Sequence, residues 1–347
     1  MTPAEPPPRP ADVRRPTLNA VAARAGVGRG TVSRVINGSS QVSERSRAAV
    51  EQAIAELGYV PNRAARSLVT RRTDSVALVV PEAETRLFSE PYFSGIIRGV
   101  STGLADAGMQ LLLVLARDEK EYARLADYLS AQRVDGVLMM AVHGDDTLPD
   151  RLEELAVPTV LAGRRSHREP LGHVRADNSG GARTAVRHLL ARGRQVIGTI
   201  TGPLDMDAAQ ARLDGYRTAL ADAGLPADEE LIAGGDFTEE GGRAAMRELL
   251  RRRPALDALF AASDVMASGA VLELRAAGLR VPHDVAVVGF DDSIVARHID
   301  PPLTSVRQPL EEMGRTMADL LLSEIAQRGT GHRAVVLPTE LVVRESA

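Results

Sequence analysis

Residues 17–37 read TLNAVAARAGVGRGTVSRVIN. Thr17 stands where an N-cap belongs, and Leu18, Val21, Ala22 and Ala25 then fall on one helical face. Gly26 follows at the place of a left-handed C-cap. A second helix starts near Arg29 and turns Val32, Val35 and Ile36 inward, leaving Arg29, Gly30, Ser33, Arg34 and Asn37 outward. A helix this short needs partners to hold it. One is the first helix; another runs from its cap Ser43 to Leu57, stops at Gly58, and carries Ala49, Val50, Ala53, Ile54 and Leu57 on its inner face. Three short helices presenting a polar, Arg-bearing second helix make a helix-turn-helix, whose second helix enters the major groove of DNA. A small helical cap with solvated arginines is the plainer alternative.

Charge supports the DNA reading. Residues 1–75 hold 12 Arg against 6 Asp and Glu, a net of +6, while the rest of the 347-residue chain carries −10. A polyanion would be met at the basic end and repelled by the acidic body. The length implies two or three units. Without cysteine there is neither a disulfide framework nor a thiolate metal site. No apolar run is long enough to span a membrane. The tail MTPAEPPPRPADVRRP lacks the apolar segment of a secretory signal, and residues 1–15 read as disordered.

Residues 61–73, PNRAARSLVTRRT, follow the three helices. Asn62 can cap a helix to about Val69, too short to be stable in water, so the segment should order only on binding. Leu68 is apolar among Arg63, Arg66, Arg71 and Arg72, a composition that suits a wedge between base steps of the minor groove. On spacing alone, a basic linker with one stray Leu fits equally well.

From Ser75 the texture changes. Near-continuous apolar strands such as SVALVVP (75–81), MQLLLVLA (109–116), VDGVLMMA (134–141), QVIGTITG (195–202) and DVAVVGFD (284–291) alternate with amphipathic helices. That pattern predicts parallel sheets covered on both faces, in two successive series and hence two α/β lobes. Ligands of such sheets bind outside the carboxyl ends of the strands, where Asp177, Asn178, Ser263, Asp264, Asp291 and Asp292 fall. Carboxylates and amides spaced along a cleft suit a polyhydroxy ligand, and Arg212 can clamp its oxygens. Other uses remain open. Asp177, Asp264 and Asp292 also fit as helix caps, Phe93 and Phe237 as core, and Arg212 as a salt-bridge partner. The seven His show no metal-ligand spacing, and no nucleophile elbow, phosphate loop or dinucleotide fingerprint is present, so neither an enzyme nor a cofactor or metal is expected. An exported solute-binding protein would share the lobes but not the head or the missing signal. An architectural DNA protein would leave the cleft unexplained.

AVAARAGVGRGTVSRVINGSSQVS and ELGYVPNRAARSL closely resemble the DNA-binding end of lactose-repressor (LacI/GalR) family transcription regulators. RLDGYRTAL (212–220), VPHDVAVVGFDD (281–292) and PPLTSVRQP (301–309) extend the resemblance into the body. It implies a fold: an all-α helix-turn-helix head plus an α/β core of two parallel-sheet lobes, like type I periplasmic binding proteins. The expected parts are a tail at 1–15, a head at 16–60 and a hinge helix at 61–73. The N-terminal lobe is expected at 74–192 and 306–337, and the C-terminal lobe at 193–305 and 338–347, with crossings near Gly193, Val306 and Pro338. In the head the resemblance assigns base reading to Arg29, Gly30 and Arg34. Gly30 departs from the family's usual side chain and Gly28 from its usual Ser cap, so Arg29 and Arg34 must carry most direct readout. Thr17, Leu18, Thr31, Ser33, Asn37, Ser43 and Arg45 complete the expected DNA face of the head. Asn62, Arg63 and the intercalating Leu68 are the expected contacts from the hinge.

For the cleft it implies effector contacts at Tyr92, Phe93, Arg117, Asp177, Arg212, Phe237, Ser263, Asp291 and Gln308. The function implied is repression from an approximately palindromic operator on double-stranded DNA by a homodimer in the cytoplasm, nucleoid-associated when bound. A sugar or sugar derivative would release it; a co-repressor-dependent regulator answering to a purine or other metabolite is the alternative. The face of Met313, Met317, Leu320, Leu321 and Ile325 is a candidate for part of the dimer surface, or else ordinary lobe core.

Overall fold

A computed structural model describes residues 16–36, 39, 41–59, 72–116, 119–130, 133–166, 169–327 and 333–347. Two compact units divide at Thr73 and Asp74. The first holds helices α1 (Leu18–Ala25), α2 (Arg29–Ile36) and α3 (Glu44–Leu57). Thr17 Oγ1 accepts the Ala20 N–H at 3.3 Å, and Ser43 Oγ accepts that of Ser46 at 3.3 Å, so both predicted caps are made. Gly26 (φ 65°) and Gly58 (φ 60°) close their helices in the left-handed region, which costs glycine nothing. Val21, Val32 and Val50, all fully buried, meet at the centre with Ala53 and Val35. Each helix hands this small core one apolar stripe, the reason none needs to be stable alone.

The second unit contains two six-stranded sheets. After β1 (Ser75–Val80), a short helix α4 (Glu84–Ser89) unforeseen in the sequence precedes α5 (Pro91–Asp106). The chain continues through β2 (Gln110–Leu115), α6 (Glu119–Ser130), β3 (Gly136–Met139), α7 (Leu148–Glu154), β4 (Thr159–Ala162) and β5 (Gly172–Ala176). These five strands and β11 (Ala334–Leu337) form the first sheet, ordered β11-β5-β4-β3-β1-β2 and parallel throughout. Helix α8 (Asn178–Ala191) leads to β6 (Ile197–Thr201), α9 (Asp207–Asp222), β7 (Ile232–Gly234) and α10 (Glu239–Arg252). Then come β8 (Ala258–Ala261), α11 (Asp264–Ala276), β9 (Ala286–Asp291), α12 (Ile294–His298) and β10 (Thr304–Arg307). With β12 (Glu340–Val342) these build the second sheet, ordered β12-β10-β9-β8-β6-β7, in which only β12 runs antiparallel.

The chain passes between sheets three times, but not all where the sequence placed it. The first passage lies at Asp177, not near Gly193. Helix α8 belongs with the second sheet: Ala182, Ala185, Val186 and Leu189 share a core with Tyr216, Phe260, Val288 and Phe290. Gly193 (φ 83°) only turns the chain after that helix. Gly181 shows how tightly α8 is seated, since a Cβ there would stand 2.9 Å from Val306 and 3.1 Å from Phe290. The second passage follows Arg307, just past Val306, because both residues still pair with β9 and β12. The third lies between Leu337 and Glu340, around Pro338.

Helix α13 (Leu310–Gln327) corrects the dimer-surface expectation. Met313, Met317 and Leu321 are 3%, 0% and 0% exposed within the core of the first sheet, and Gly99 and Gly314 let α13 and α5 approach at backbone distance. Its apolar face is therefore lobe core.

Candidate functional site

The head presents α2 as a two-sided rod. Val32 and Val35 are buried, and Arg29, Gly30 and Arg34 are exposed. Thr31 and Ser33 are half-buried at the edges of that face. The start of α2 has no side-chain cap: the Gly28 carbonyl itself accepts the Thr31 and Val32 N–H groups at 2.9 and 3.2 Å. No atom lies within 4 Å of where a Cβ at Gly30 would sit, so packing does not demand glycine there. Thr17, Ser43 and Arg45 are exposed, the first two already engaged as caps. Leu18 is half-buried and packs on the head core. One contact escaped the sequence reading: the Arg47 guanidinium donates to the Ser39 carbonyl at 2.7 Å, linking α3 to Ser39. Asn37, Asn62, Arg63 and Leu68 lie outside the described residues, as does most of the hinge segment.

In the second unit a cleft partly open to solvent lies at the carboxyl ends of both sheets. Tyr92, Phe93, Arg212, Phe237, Ser263, Asp291 and Gln308 line it, so seven of the expected effector positions converge. Of the other two, Arg117 lies outside the described residues. Asp177 is exposed and caps α8 through the Gly180 N–H at 3.0 Å; the wall is made instead by its neighbour Asn178, 4% exposed. Asp177 also sits at a crossing: its N–H donates to the Leu337 carbonyl, and its own carbonyl accepts from Thr339 Oγ1 at 3.3 Å.

The polar heart of the cavity is a chain of side chains. Arg212, 5% exposed, donates from Nε to Asn178 Oδ1 at 2.9 Å and from Nη1 to the Ala262 carbonyl at 2.5 Å. Its guanidinium lies 3.8 Å from the Phe290 ring centre and stands 4.0 Å from Asp291 Oδ1. That same oxygen accepts from Gln308 Nε2 at 2.6 Å. Asn178 and Gln308 each adjoin a crossing, so the chain reaches from one passage to another through Arg212 and Asp291.

Asp291 is aimed by its backbone. It and Asp292 have φ of 112° and 51°, both unfavourable for a side-chain-bearing residue. The turn is held by the Asp292 N–H on Ser305 Oγ (3.0 Å), Ser305 Oγ on Asp264 Oδ1 (2.5 Å) and the Ser293 N–H on Asp264 Oδ2 (2.7 Å). Asp264 is thus a support behind the wall. Burial, with the Asp291 charge added, raises its pKa well above the ordinary range. Burial also pushes Asp291 up to about 6, against the opposing pull of Arg212 and the Gln308 hydrogen bond. Arg212 is shifted down by burial, and Tyr92 is pushed up to about 12 by the same cause.

Ser263 caps α11, accepting the Met266 N–H at 3.2 Å. Phe93, 1% exposed, is core as well as wall, its ring edge-on to Tyr92 at 5.4 Å. Phe237 (φ 68°) is pressed against Gly202, where a Cβ would fall 2.1 Å from its ring, and the Arg86 guanidinium stands 5.2 Å from its ring centre. Glycine at 202 is required by that approach. Arg86, Glu90, Arg164, Arg175 and Asp207 complete the charged lining and were missed in the sequence. Burial pushes Glu90 up to about 7 although Arg86 bonds it at 2.6 Å. Among the described residues no cluster of His, Cys, Asp or Glu could hold a metal ion, and no helix is long and apolar enough to cross a membrane.

Residues 17–62 match the sequence model of bacterial regulatory proteins of the lacI family, and residues 186–347 that of a periplasmic binding protein-like domain. The chain is 56% identical to the HTH-type transcriptional regulator CelR of Thermobifida fusca over 335 residues, 96% of this chain and 98% of that protein. Its structure is similar to that of a CelR–cellobiose complex, with a TM-score of 0.77 and 53% identity over 96% of this chain and 100% of that one. It is also similar to the lac repressor dimer bound to operator and the anti-inducer ONPF, with a TM-score of 0.84 and 29% identity over 96% of this chain and 99% of that one.

Proposed function

Because the chain belongs to the lacI family of bacterial regulatory proteins, and is thereby a DNA-binding transcription regulator, we propose that it represses as a homodimer and is released by cellobiose or a closely related sugar. The operator is an approximate palindrome, since one helix-turn-helix reads only a half-site. Arg29 and Arg34 read base edges. Thr17, Thr31, Ser43 and Arg45 position the head on phosphates, which fixes register without specifying sequence. Asn62, Arg63 and Leu68 take the minor groove, on the sequence reading alone. We assign no catalytic step to the cleft. The protein acts on the chromosome, and so at the nucleoid.

One observation carries the choice of ligand. Donors and acceptors on Asn178, Arg212, Asp291 and Gln308 stand in an unbroken row in a cavity also lined by the aromatic Phe237, in a chain 56% identical to CelR along almost its whole length. Vicinal hydroxyls exchange hydrogen bonds with such a row, and the apolar face of a pyranose covers such a ring. Effector touching both lobes favours their closure, and only this difference in affinity can move the equilibrium. Closure shifts how the two first lobes of a dimer meet, which parts the paired hinge segments; a short unpaired helix melts.

The test is selection of bound DNA from a random duplex pool with the full chain, followed by titration with cellobiose. Recovery of a near-palindromic site that cellobiose releases is the expected result. Tighter operator binding with cellobiose would make the sugar a co-repressor, and no response to cellobiose would remove it as effector. In thermal unfolding, a ligand present at 100 times its Kd should stabilise the core by about 2.7 kcal/mol.

A further inference from the structure

His143 follows β3 in the first lobe. Its two ring nitrogens face two carboxylates from different lobes: Nδ1 lies 2.5 Å from Asp205 Oδ2, in the loop between β6 and α9, and Nε2 lies 3.2 Å from Glu82 Oε1, just after β1. A neutral imidazole has one donor and could serve only one of them; an imidazolium serves both. The next residue adds a backbone bond, the Gly144 N–H to the Asp205 carbonyl at 2.9 Å. A second ion pair spans the same gap, from Arg164 Nε after β4 to Asp207 Oδ1 at the start of α9, at 2.8 Å. A third contact is the Arg86 guanidinium of the first lobe over the Phe237 ring of the second.

These contacts are placed for leverage. The crossings run through the last two strands at one end of each sheet, β11 and β5 in the first and β12 and β10 in the second. β3 lies two strands in from β5, and β6 lies three strands in from β10. Opening about the crossings separates such sites more than it disturbs the row from Asn178 to Gln308, which lies beside the joints. We propose that His143 is the bolt of an inter-lobe latch: as an imidazolium it ties Glu82 of one lobe to Asp205 of the other and, with the Arg164–Asp207 pair, favours the closed cleft before any effector arrives. The latch rests on the reading that effector acts through lobe closure. It sets how much of that closure the effector must still supply, because a ligand binds with an apparent affinity scaled by the competent fraction.

The charges facing His143 are Glu82, Asp205 and, on its own loop, Asp146, whose Oδ2 accepts the His143 backbone N–H at 2.8 Å; Asp145 bears on Asp146, and Arg86 stands behind Glu82 and pairs with it. The hydrogen bond to Glu82, with further help from Asp205, raises the His143 pKa to about 9 despite burial. A raised pKa means the bolt is fully in place below the open-state value and is lost as pH rises through about 9. Only the part due to Asp205 belongs to closure, since Glu82 stays with His143 in either state.

The chain has no cysteine, so Glu154→Cys on the first lobe and Ala221→Cys on the second provide two unique thiols for a fluorescence-transfer pair. The full-length protein without ligand should show a closed, high-transfer population at pH 7 that shrinks at pH 10. Asp205→Asn and His143→Gln, each removing one partner at the partly exposed mouth, should shift it toward low transfer at pH 7 and abolish the pH response. Operator binding should tighten, and cellobiose affinity should fall by the factor that the closed fraction falls. Identical transfer in wild type and both variants at pH 7, or a pH response that survives Asp205→Asn, would overturn the latch. The ligand-free measurement stands whether or not cellobiose is the effector, so failure of that assignment shows separately, as absence of closure on adding the sugar.

Discussion

The outer face of α2 and the wall of the cleft use the same side chain to opposite ends. On α2, Arg29 and Arg34 stand exposed beside a glycine with open space around it. In the cleft, Arg212 is buried, stacked and hydrogen-bonded before any ligand arrives. An exposed arginine takes its energy and geometry from the partner, which suits a surface that meets DNA and lets go. A buried one has been oriented in advance by folding, which suits a site that must recognise a small ligand with few contacts. The expectation is that damage to the head changes DNA affinity and spares the sugar, whereas damage to the row from Asn178 to Gln308 does the reverse.

The broadest cut should have the largest effect. A chain lacking residues 1–73 should fold, since the second unit is compact by itself, and bind cellobiose while operator binding disappears from gel-shift titrations. Retained tight operator binding would place the DNA site elsewhere. Next in size is Arg212→Ala. It leaves Asp291, Asn178 and the Ala262 carbonyl without their cation and should weaken cellobiose by roughly 100-fold or more in calorimetry. Operator affinity should hold, and an unchanged sugar isotherm would misplace the cleft.

A smaller effect belongs to Arg34→Ala, at roughly 1–3 kcal/mol with relaxed preference at one position per half-site, as read by binding to a panel of single-base operator variants. A uniform loss across the panel would make Arg34 a phosphate contact. Acid should act on the cleft and not on the head. Asp291 takes a proton near pH 6, so cellobiose affinity should fall about tenfold by pH 5. Unfolding does not explain such a loss, because a carboxyl whose folded pKa is raised stabilises the folded state on taking the proton. Asp291→Asn should flatten the profile. The smallest effect should be Gly30→Ala. It has room for the methyl group and should stabilise the head by about 1 kcal/mol in thermal unfolding, leaving cellobiose binding untouched.

The same contrast explains what the sequence could show. Head helices, caps and turn glycines were legible because they are local: Thr17, Gly26, Ser43 and Gly58 act within a few residues of themselves. The alternation of strands and helices was legible because burial on both faces of a parallel sheet leaves a continuous apolar run. Lobe boundaries were harder. Helix α8 follows a first-lobe strand in sequence yet packs on the second sheet, and only the tertiary core of Tyr216, Phe260 and Phe290 shows it. At the wall, Asp177 and Asn178 are adjacent strand-end polar residues. Which is cap and which is wall depends on the turn into α8, and no pattern of residue types separates them. Arg86, Arg164 and Asp207 are paired across the cleft by folding, and the sequence places them far apart.

Coupling between the two regions is measured most directly by the affinity of the full chain for cellobiose, with and without saturating operator DNA. Linkage requires that operator lower sugar affinity by the same factor by which sugar lowers operator affinity. The expected result is a matched, reciprocal loss in both titrations, with release in Arg212→Ala moved to a sugar concentration roughly 100-fold or more higher. Sugar affinity that is unchanged or raised by operator would contradict release by effector.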